Sequence, residues 1–158
     1  MAHEDERSVR VPPRWFVRAA WRVHRAFYRI SGGRVGLWTT ASKRGWGALR
    51  LVTVGRRSGR ERAVIVGYLE DGPDLVVLAM NGWGEGEPAW SLNLQAHPEA
   101  TVHLANAPPR RVRARVAEGT ERDRLWARWH SIEPDLDAYA ALRSGPTAVI
   151  VLAPLPAT

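Results

Sequence analysis

The sequence predicts a mainly β (α+β) protein: a small six-stranded barrel with an N-terminal amphipathic helix and two or three further short helices. Three observations predict it. Six apolar runs carry strand-like patterning. Most of them are joined by short links rich in Gly, Pro, Asn and Asp, which favour antiparallel neighbours. The elements run in the order α, βββ, α, ββ, αα, β, so helices do not alternate regularly with strands as a parallel sheet demands.

Residues 1–11 are polar and read as a disordered N-terminus. Pro12 and Pro13 then open a helical pattern, as proline does in a first turn. Phe16, Ala20, Val23, Phe27 and Ile30 recur every third or fourth residue, and Arg14, Arg18, Arg22, Arg25 and Arg29 take the opposite face. Gly32-Gly33 closes this helix, which spans 12–33. Residues 34–47 read as a loop carrying Trp38 and Trp46. The period then turns strand-like at 48–54, 62–69 and 75–80, separated by the turns GRRSGR and EDGPD, in the manner of a β-meander. A Gly-rich loop, NGWGEGEP, leads to a short helix over 88–96. Strands follow near 100–105 and 110–117, split by Ala107-Pro108-Pro109. A helix over 120–131 has Thr120 and Asp123 placed for a capping box. A third short helix covers 135–143, and a last strand 147–153. The barrel domain is read as 34–158.

Composition bounds the function. Of 158 residues, 45% are hydrophobic and 25% charged, enough for one self-sufficient core. The absence of cysteine excludes disulfides, thiolate metal sites and a cysteine nucleophile, and it suits a reducing compartment. No apolar run reaches the roughly 20 residues that span a bilayer. The first residues lack the apolar region of a secretory signal, so the expected location is cytoplasmic. The net charge is +7, and Lys43 is the one lysine among 23 basic residues. The arginine bias suits bidentate phosphate or carboxylate contacts and equally matches a GC-rich genome.

The constellations narrow the chemistry. His3, His24, His97, His103 and His130 show no metal-ligand spacing, so no metal is expected. There is no G-x-S-x-G elbow, and Ser58 has no local base, which disfavours a hydrolase. Gly82, Gly84 and Gly86 do not complete G-x-G-x-x-G, because residue 87 is Glu. Arg111, Arg113 and Arg115 alternate with Val112, Ala114 and Val116, the pattern of a strand with one wet face. No aromatic platform interleaves them, so no nucleic-acid partner is expected. The 12–30 helix has two readings: peripheral binding to the inner face of an anionic plasma membrane, or packing on the barrel.

The turn Gly55-Arg56-Arg57-Ser58-Gly59-Arg60-Glu61-Arg62 is the most informative segment. Four arginines and a hydroxyl stand between two apolar strands. Turn N–H groups and guanidinium forks together suit a phosphate, while a solvated hairpin tip is the other reading.

The middle of the chain resembles the deazaflavin (coenzyme F420)-dependent nitroreductase and quinone reductase family. TVGRRSGRERAVIV is similar to its T-x-G-R-[KR]-[ST]-G-x-x-R signature. EPAWSLNLQAHPEATV resembles its [HN]-P-x-W-[YF]-x-N-L-x-A-N-P-x-V segment, and YLEDGPDLVVLAMNGW and PTAVIVLAP fit around these. The resemblance covers about 12–154. It implies a flavin-reductase-like, FMN-binding-like split β-barrel that binds coenzyme F420 in preference to FMN. It also implies hydride transfer from the reduced deazaflavin to a quinone-like or nitroaromatic acceptor. The alternative in the same barrel is a non-catalytic protein that binds F420 or a small apolar ligand. The oligomeric state is read as monomer or homodimer.

The resemblance also implies site residues. Arg56, Arg57 and Arg62, with Ser58 and Gly59, match positions for the cofactor's phosphate and tail. Ile65 and the backbone of Leu78, Ala79, Met80, Asn81 and Gly82 match positions along its ring. Ala89, Trp90 and Asn93 follow the Gly-rich loop. Gly67, Leu136 and Tyr139 match the acceptor wall, with Tyr139 as the catalytic hydrogen-bond donor. Five departures stand out: Asn81 replaces the usual Lys, Gly67 a bulky residue, Gly82-Trp83-Gly84-Glu85-Gly86 the usual Gly-Gly-Ala-Pro-Lys loop with loss of positive charge, and Glu133 and Leu136 two tyrosines.

Overall fold

Six strands pair in a closed ring, each antiparallel to both neighbours, in the order β1-β2-β3-β6-β5-β4. They are β1 (Gly47–Val54), β2 (Glu61–Asp71), β3 (Asp74–Leu78), β4 (Glu99–His103), β5 (Arg110–Val116) and β6 (Val149–Pro154). From residue 36 onward, among the described residues, three α-helices accompany them: α1 (Ala89–Ala96), α2 (Gly119–Ile132) and α3 (Leu136–Ala141). The computed structural model describes residues 36–157 and, before them, Pro13, Trp15, Phe16, Arg18 and Ala19. The amphipathic helix and disordered terminus expected over 1–33, and with them the membrane reading of 12–30, lie outside the described residues apart from those five. Among the described residues, no helix is long and apolar enough to cross a membrane.

Period-two alternation divides the barrel into an inner and an outer apolar layer. Leu75 and Val77 of β3 and Ile150 and Leu152 of β6 point inward, joining Leu49, Leu51, Tyr68, Val102 and Val112. Val76, Leu78, Val149 and Val151 point outward, against Leu125 and Trp129 of α2 and Leu136 of α3. β3 and β6 are therefore apolar on both faces, and α2 covers the side that water would otherwise wet. Each fully buried Leu or Val contributes roughly 1.5–3 kcal/mol.

The strands start and end within two residues of the sequence expectation. Two details differ. The Thr120–Asp123 capping box does not form: α2 begins one residue earlier, after Glu118, with no side-chain cap. A 3-10 turn over Asn81–Trp83 occupies the Gly-rich loop, which periodicity leaves blank. On β5, Arg111 and Arg113 both pair with Glu99 of β4, and Arg115 with Glu121 of α2. Cross-strand register sets this, since Glu99 faces Arg113 and Thr101 faces Arg111.

Candidate functional site

The β1–β2 hairpin turn is tightly wound. Gly55 N–H donates to the Arg60 carbonyl and Gly59 N–H to the Gly55 carbonyl, both at 2.8 Å. Asn93 of α1 holds the turn from beneath. Its Oδ1 accepts from Arg56 N–H at 3.1 Å and from the Arg56 guanidinium at 3.2 Å. Its Nδ2 donates to Thr53 Oγ1 at 3.1 Å. A buried asparagine thus satisfies three groups and orients the first turn arginine. The N–H groups of Arg57 and Ser58 have no acceptor among the described residues.

Charge pairing separates this turn from five arginines of β5 and α2. Arg111, Arg113, Arg115, Arg124 and Arg128 all pair with carboxylates. Among the described residues, Arg56, Arg57, Arg60 and Arg62 pair with none. Unpaired guanidiniums beside free backbone N–H groups make a cationic pole that an anion would relieve.

Arg56, Arg57, Ser58 and Arg62 line one part of a cleft of about 1130 Å³. The cleft then follows β2 past Ile65 to Gly67. Gly67 lies five positions along β2 from Arg62, which at the strand rise is about 16–17 Å. The far part is aromatic, with Trp38, Trp46, Trp83, Trp129 and Tyr139 in its lining. Gly67 permits this. A Cβ there would stand 3.1 Å from the Trp46 ring and 3.7 Å from that of Trp129. Trp38 and Trp46 pack at 5.0 Å, and Trp38 Nε1 donates to the Trp46 carbonyl at 3.0 Å. Trp83 stacks on Tyr139 at 5.7 Å, with ring planes 16° apart. The indole N–H of Trp129 is buried and has no acceptor among the described residues.

The loop between β3 and α1 is held in an unfavourable backbone form. Asn81, Gly82 and Trp83 all have φ between 49° and 60°, a left-handed run that costs roughly 1–2 kcal/mol at each non-glycine residue. Asn81 Nδ2 donates to the carbonyls of Glu85 at 2.7 Å and Gly86 at 3.2 Å, closing the loop on itself. Arg143, only 8% exposed, clamps it from outside. Its guanidinium donates to the carbonyls of Ala79, Gly84 and Gly86 and to Thr147 Oγ1, at 2.7–3.0 Å. Glu85 accepts from the backbone and hydroxyl of Ser144, and those hydrogen bonds hold its carboxyl below the usual range.

The structure places most of the expected residues along this one cleft. Arg56, Arg57, Ser58, Arg62, Ile65, Leu78, Met80, Asn81, Gly82, Ala89, Trp90 and Asn93 line it, as do Gly67, Leu136 and Tyr139. Gly59 and Ala79 do not. Gly59 sits at the exposed turn with φ +67°, and Ala79 is fully buried, its carbonyl taken by Arg143. The Asn93 amide is taken up by Arg56 and Thr53 and the Asn81 Nδ2 by its own loop, so both act as supports. Sequence reading missed Arg143, whose role depends on a contact across 59 residues to Gly84. It also missed Trp46 and Trp129, which no short motif connects. Glu133 lines the cleft as well.

The donor set fits a long ligand with an anionic end and a planar apolar end. The volume stands at the upper edge of cofactor-sized sites, which run to about 1,000 Å³. No group of three or more His, Cys, Asp or Glu among the described residues could hold a metal.

Comparison with known proteins agrees with this geometry. The family model described as F420H(2)-dependent quinone reductase matches residues 20–154. A Mycobacterium tuberculosis protein named for F420H(2)-dependent quinone reduction is 32% identical over 100 residues, covering 63% of this chain and 82% of that protein. The solved structure of an F420-H2-dependent reductase, FDR-A, superimposes with a TM-score of 0.60 at 24% identity. It covers 66% of this chain and 92% of that one. A structure described as a domain-swapped dimer gives 0.61 at 22% identity, over 89% of this chain and 99% of its own. These two establish the barrel fold, and the family model establishes kinship over most of the chain. The chain belongs to the F420H(2)-dependent quinone reductase family, a family of oxidoreductases whose cofactor is coenzyme F420.

Proposed function

We propose that the chain transfers a hydride from reduced F420 to a quinone-like or nitroaromatic acceptor held at the tryptophan end of the cleft. One observation carries the reading: the unpaired arginines of the β1–β2 turn open onto the same cleft as the aromatic wall. When bound, F420 supplies the hydride from its deazaflavin ring, so the protein needs no nucleophile or metal of its own.

The residues divide the remaining work. Arg56, Arg57 and Arg62, with the free N–H groups of Arg57 and Ser58, hold phosphate and carboxylate oxygens. Ile65 and Leu78 offer an apolar bed for a planar ring, and Asn93 keeps Arg56 in place. Tyr139, braced by Trp83, donates a hydrogen bond to an acceptor oxygen as negative charge develops there. The close approach that Gly67 allows to Trp46 and Trp129 shapes the acceptor wall.

Fluorescence titration with oxidised F420 and with FMN tests the reading. Arg62→Ala is expected to weaken F420 binding about 10- to 150-fold, the value of one charged hydrogen bond. Arg113→Ala, already paired with Glu99 on the far strand face, should stay within about threefold of wild type. FMN should bind more weakly than F420. Equal losses in both variants, or tighter FMN binding, would overturn the assignment. F420H2 oxidation on adding a quinone separates turnover from mere binding.

A further inference from the structure

Two non-glycine residues of the β3–α1 loop, Asn81 and Trp83, sit in the left-handed region at φ 49° and 60°. Asparagine tolerates that form because its amide bonds locally, and here Asn81 Nδ2 reaches the Glu85 and Gly86 carbonyls. For a bulky indole the same conformation is an outlier that persists only where the surrounding structure enforces it. Here it is enforced. Arg143 donates to the Gly84 and Gly86 carbonyls at 3.0 and 2.8 Å. Glu85 accepts from the Ser144 N–H and hydroxyl at 2.9 and 2.7 Å. Arg143 and Ser144 lie just past the end of α3, the helix that carries Tyr139. Loop and helix thus form one tied unit, in which Trp83 covers a face of Tyr139 at 5.7 Å.

Backbone strain held beside a cleft points to a side chain whose placement matters. Trp83 and Tyr139 both line the aromatic end. Trp83 also packs on the outer apolar layer, as Trp46 does, so it has core behind it rather than slack. The tryptophans on the β2 side are backed as well. The Arg44 guanidinium lies 4.7 Å from the Trp38 ring centroid and 5.8 Å from that of Trp46. A Cβ at Gly45 would stand 3.5 Å from the Ile132 side chain, which leaves that segment no room to retreat. Both aromatic walls are therefore held, and packing rather than the ligand fixes the width of this end.

We infer that Trp83 is a specificity-determining residue that limits the width of the planar quinone ring system admitted beside Tyr139. An acceptor oxygen that takes the Tyr139 hydrogen bond brings its own ring next to the indole. A narrow ring meets little of Trp83. Each further fused ring has to displace the indole, which its tied loop resists, or give up the hydrogen bond. This limit rests on the proposed function for the acceptor's place at Tyr139, but width selection is a binding property and needs no turnover.

The test titrates the full-length chain, free and saturated with oxidised F420, with three neutral quinones, following tryptophan emission. Methylbenzoquinone has one ring, methylnaphthoquinone two and hydroxymethylanthraquinone three. The chain has no cysteine for them to alkylate. Trp83→Ala is expected to tighten the three-ring quinone at least about tenfold while leaving the one-ring quinone within about threefold of wild type. The two-ring quinone should fall between. Trp83→Phe, which keeps a narrower ring on Tyr139, should give a smaller gain in the same order, and it carries the test if Trp83→Ala melts too low. Damage to the loop would weaken all three quinones, so a gain that grows with ring number is not a structural side effect. An equal change for all three, or no gain for the three-ring quinone, would overturn the inference. F420 titration of the same samples keeps the two readings apart. If F420 fails to bind while the free chain shows the graded gain, the proposed function falls and the width limit stands. If F420 binds and the graded gain is absent, this inference alone falls.

Discussion

Replacing Arg143 by methionine keeps the apolar bulk of the stem and removes every donor. The guanidinium makes four hydrogen bonds, to the carbonyls of Ala79, Gly84 and Gly86 and to Thr147 Oγ1. A charged donor nets about 1.5–3 kcal/mol per bond. The four do not add in full, because the Gly84 and Gly86 carbonyls lie on a loop that water can reach once it loosens. The Ala79 carbonyl lies on a residue with no exposure and cannot be rehydrated in place. The expected loss is therefore about 3–5 kcal/mol, the range for breaking a buried charge network from one side. For a chain of this length that lowers Tm by about 10 °C. The loss should also be local. With the clamp gone, Asn81 and Trp83 can leave their left-handed conformations, and Trp83 can leave Tyr139. Hydrogen exchange of residues 79–86 should accelerate more than that of β1 or β4. Arg143→Lys should recover little, since one ammonium cannot span the fork of acceptors. A Tm within about 2 °C of wild type, or unchanged exchange in 79–86, would refute the clamp.

Other outcomes follow from the same geometry. Gly67→Val should cost about 1–3 kcal/mol by pressing on the Trp46 ring, and should weaken acceptor binding more than F420 binding; a stable variant with unchanged acceptor affinity would contradict the close-approach argument. The pKa of His103 is lowered from 6.5, first by burial and then by the Arg50 guanidinium, which lies 3.3 Å from its Nε2. Its neutral form is therefore the folded one, and stability present above 6.5 should be lost as pH falls below that value. His103→Gln should flatten that part of the Tm–pH curve. Asp71 is held below its ordinary 3.8, mainly by the hydrogen bond from Arg124. The stability it adds should persist above that value and be lost as pH falls beneath it, and Asp71→Asn should remove this acid-side slope in denaturant titrations.

Strand and helix positions were legible in the sequence because burial imposes a period. In β3 and β6 the double-sided burial of LVVL and VIVL produced continuous apolar runs, still readable as strands because they are short and bounded by turns. The arginine turn was legible for a different reason. Its glycines, hydroxyl and guanidiniums lie within eight consecutive residues, so chain connectivity alone brings them together. The Thr120–Asp123 cap was misread because a helix start depends on the backbone entering it, and here the chain arrives from β5 through Gly119 at φ +57°.

Sequence alone determined which segments could pair and where a phosphate-binding turn could form, because both depend on neighbours along the chain. Tertiary structure decided which charges remained available. Glu99, brought across from β4, neutralises Arg111 and Arg113, while no carboxylate reaches Arg56, Arg57 or Arg62 among the described residues. It also decided that Trp38, Trp46, Trp83 and Trp129, scattered over 92 positions, share one wall, and that Arg143 clamps a loop 59 residues before it. The physical reason is the same in each case. Pairing, stacking and hydrogen bonding act over a few ångströms of space, and closing a barrel sets those distances between residues that no local pattern links.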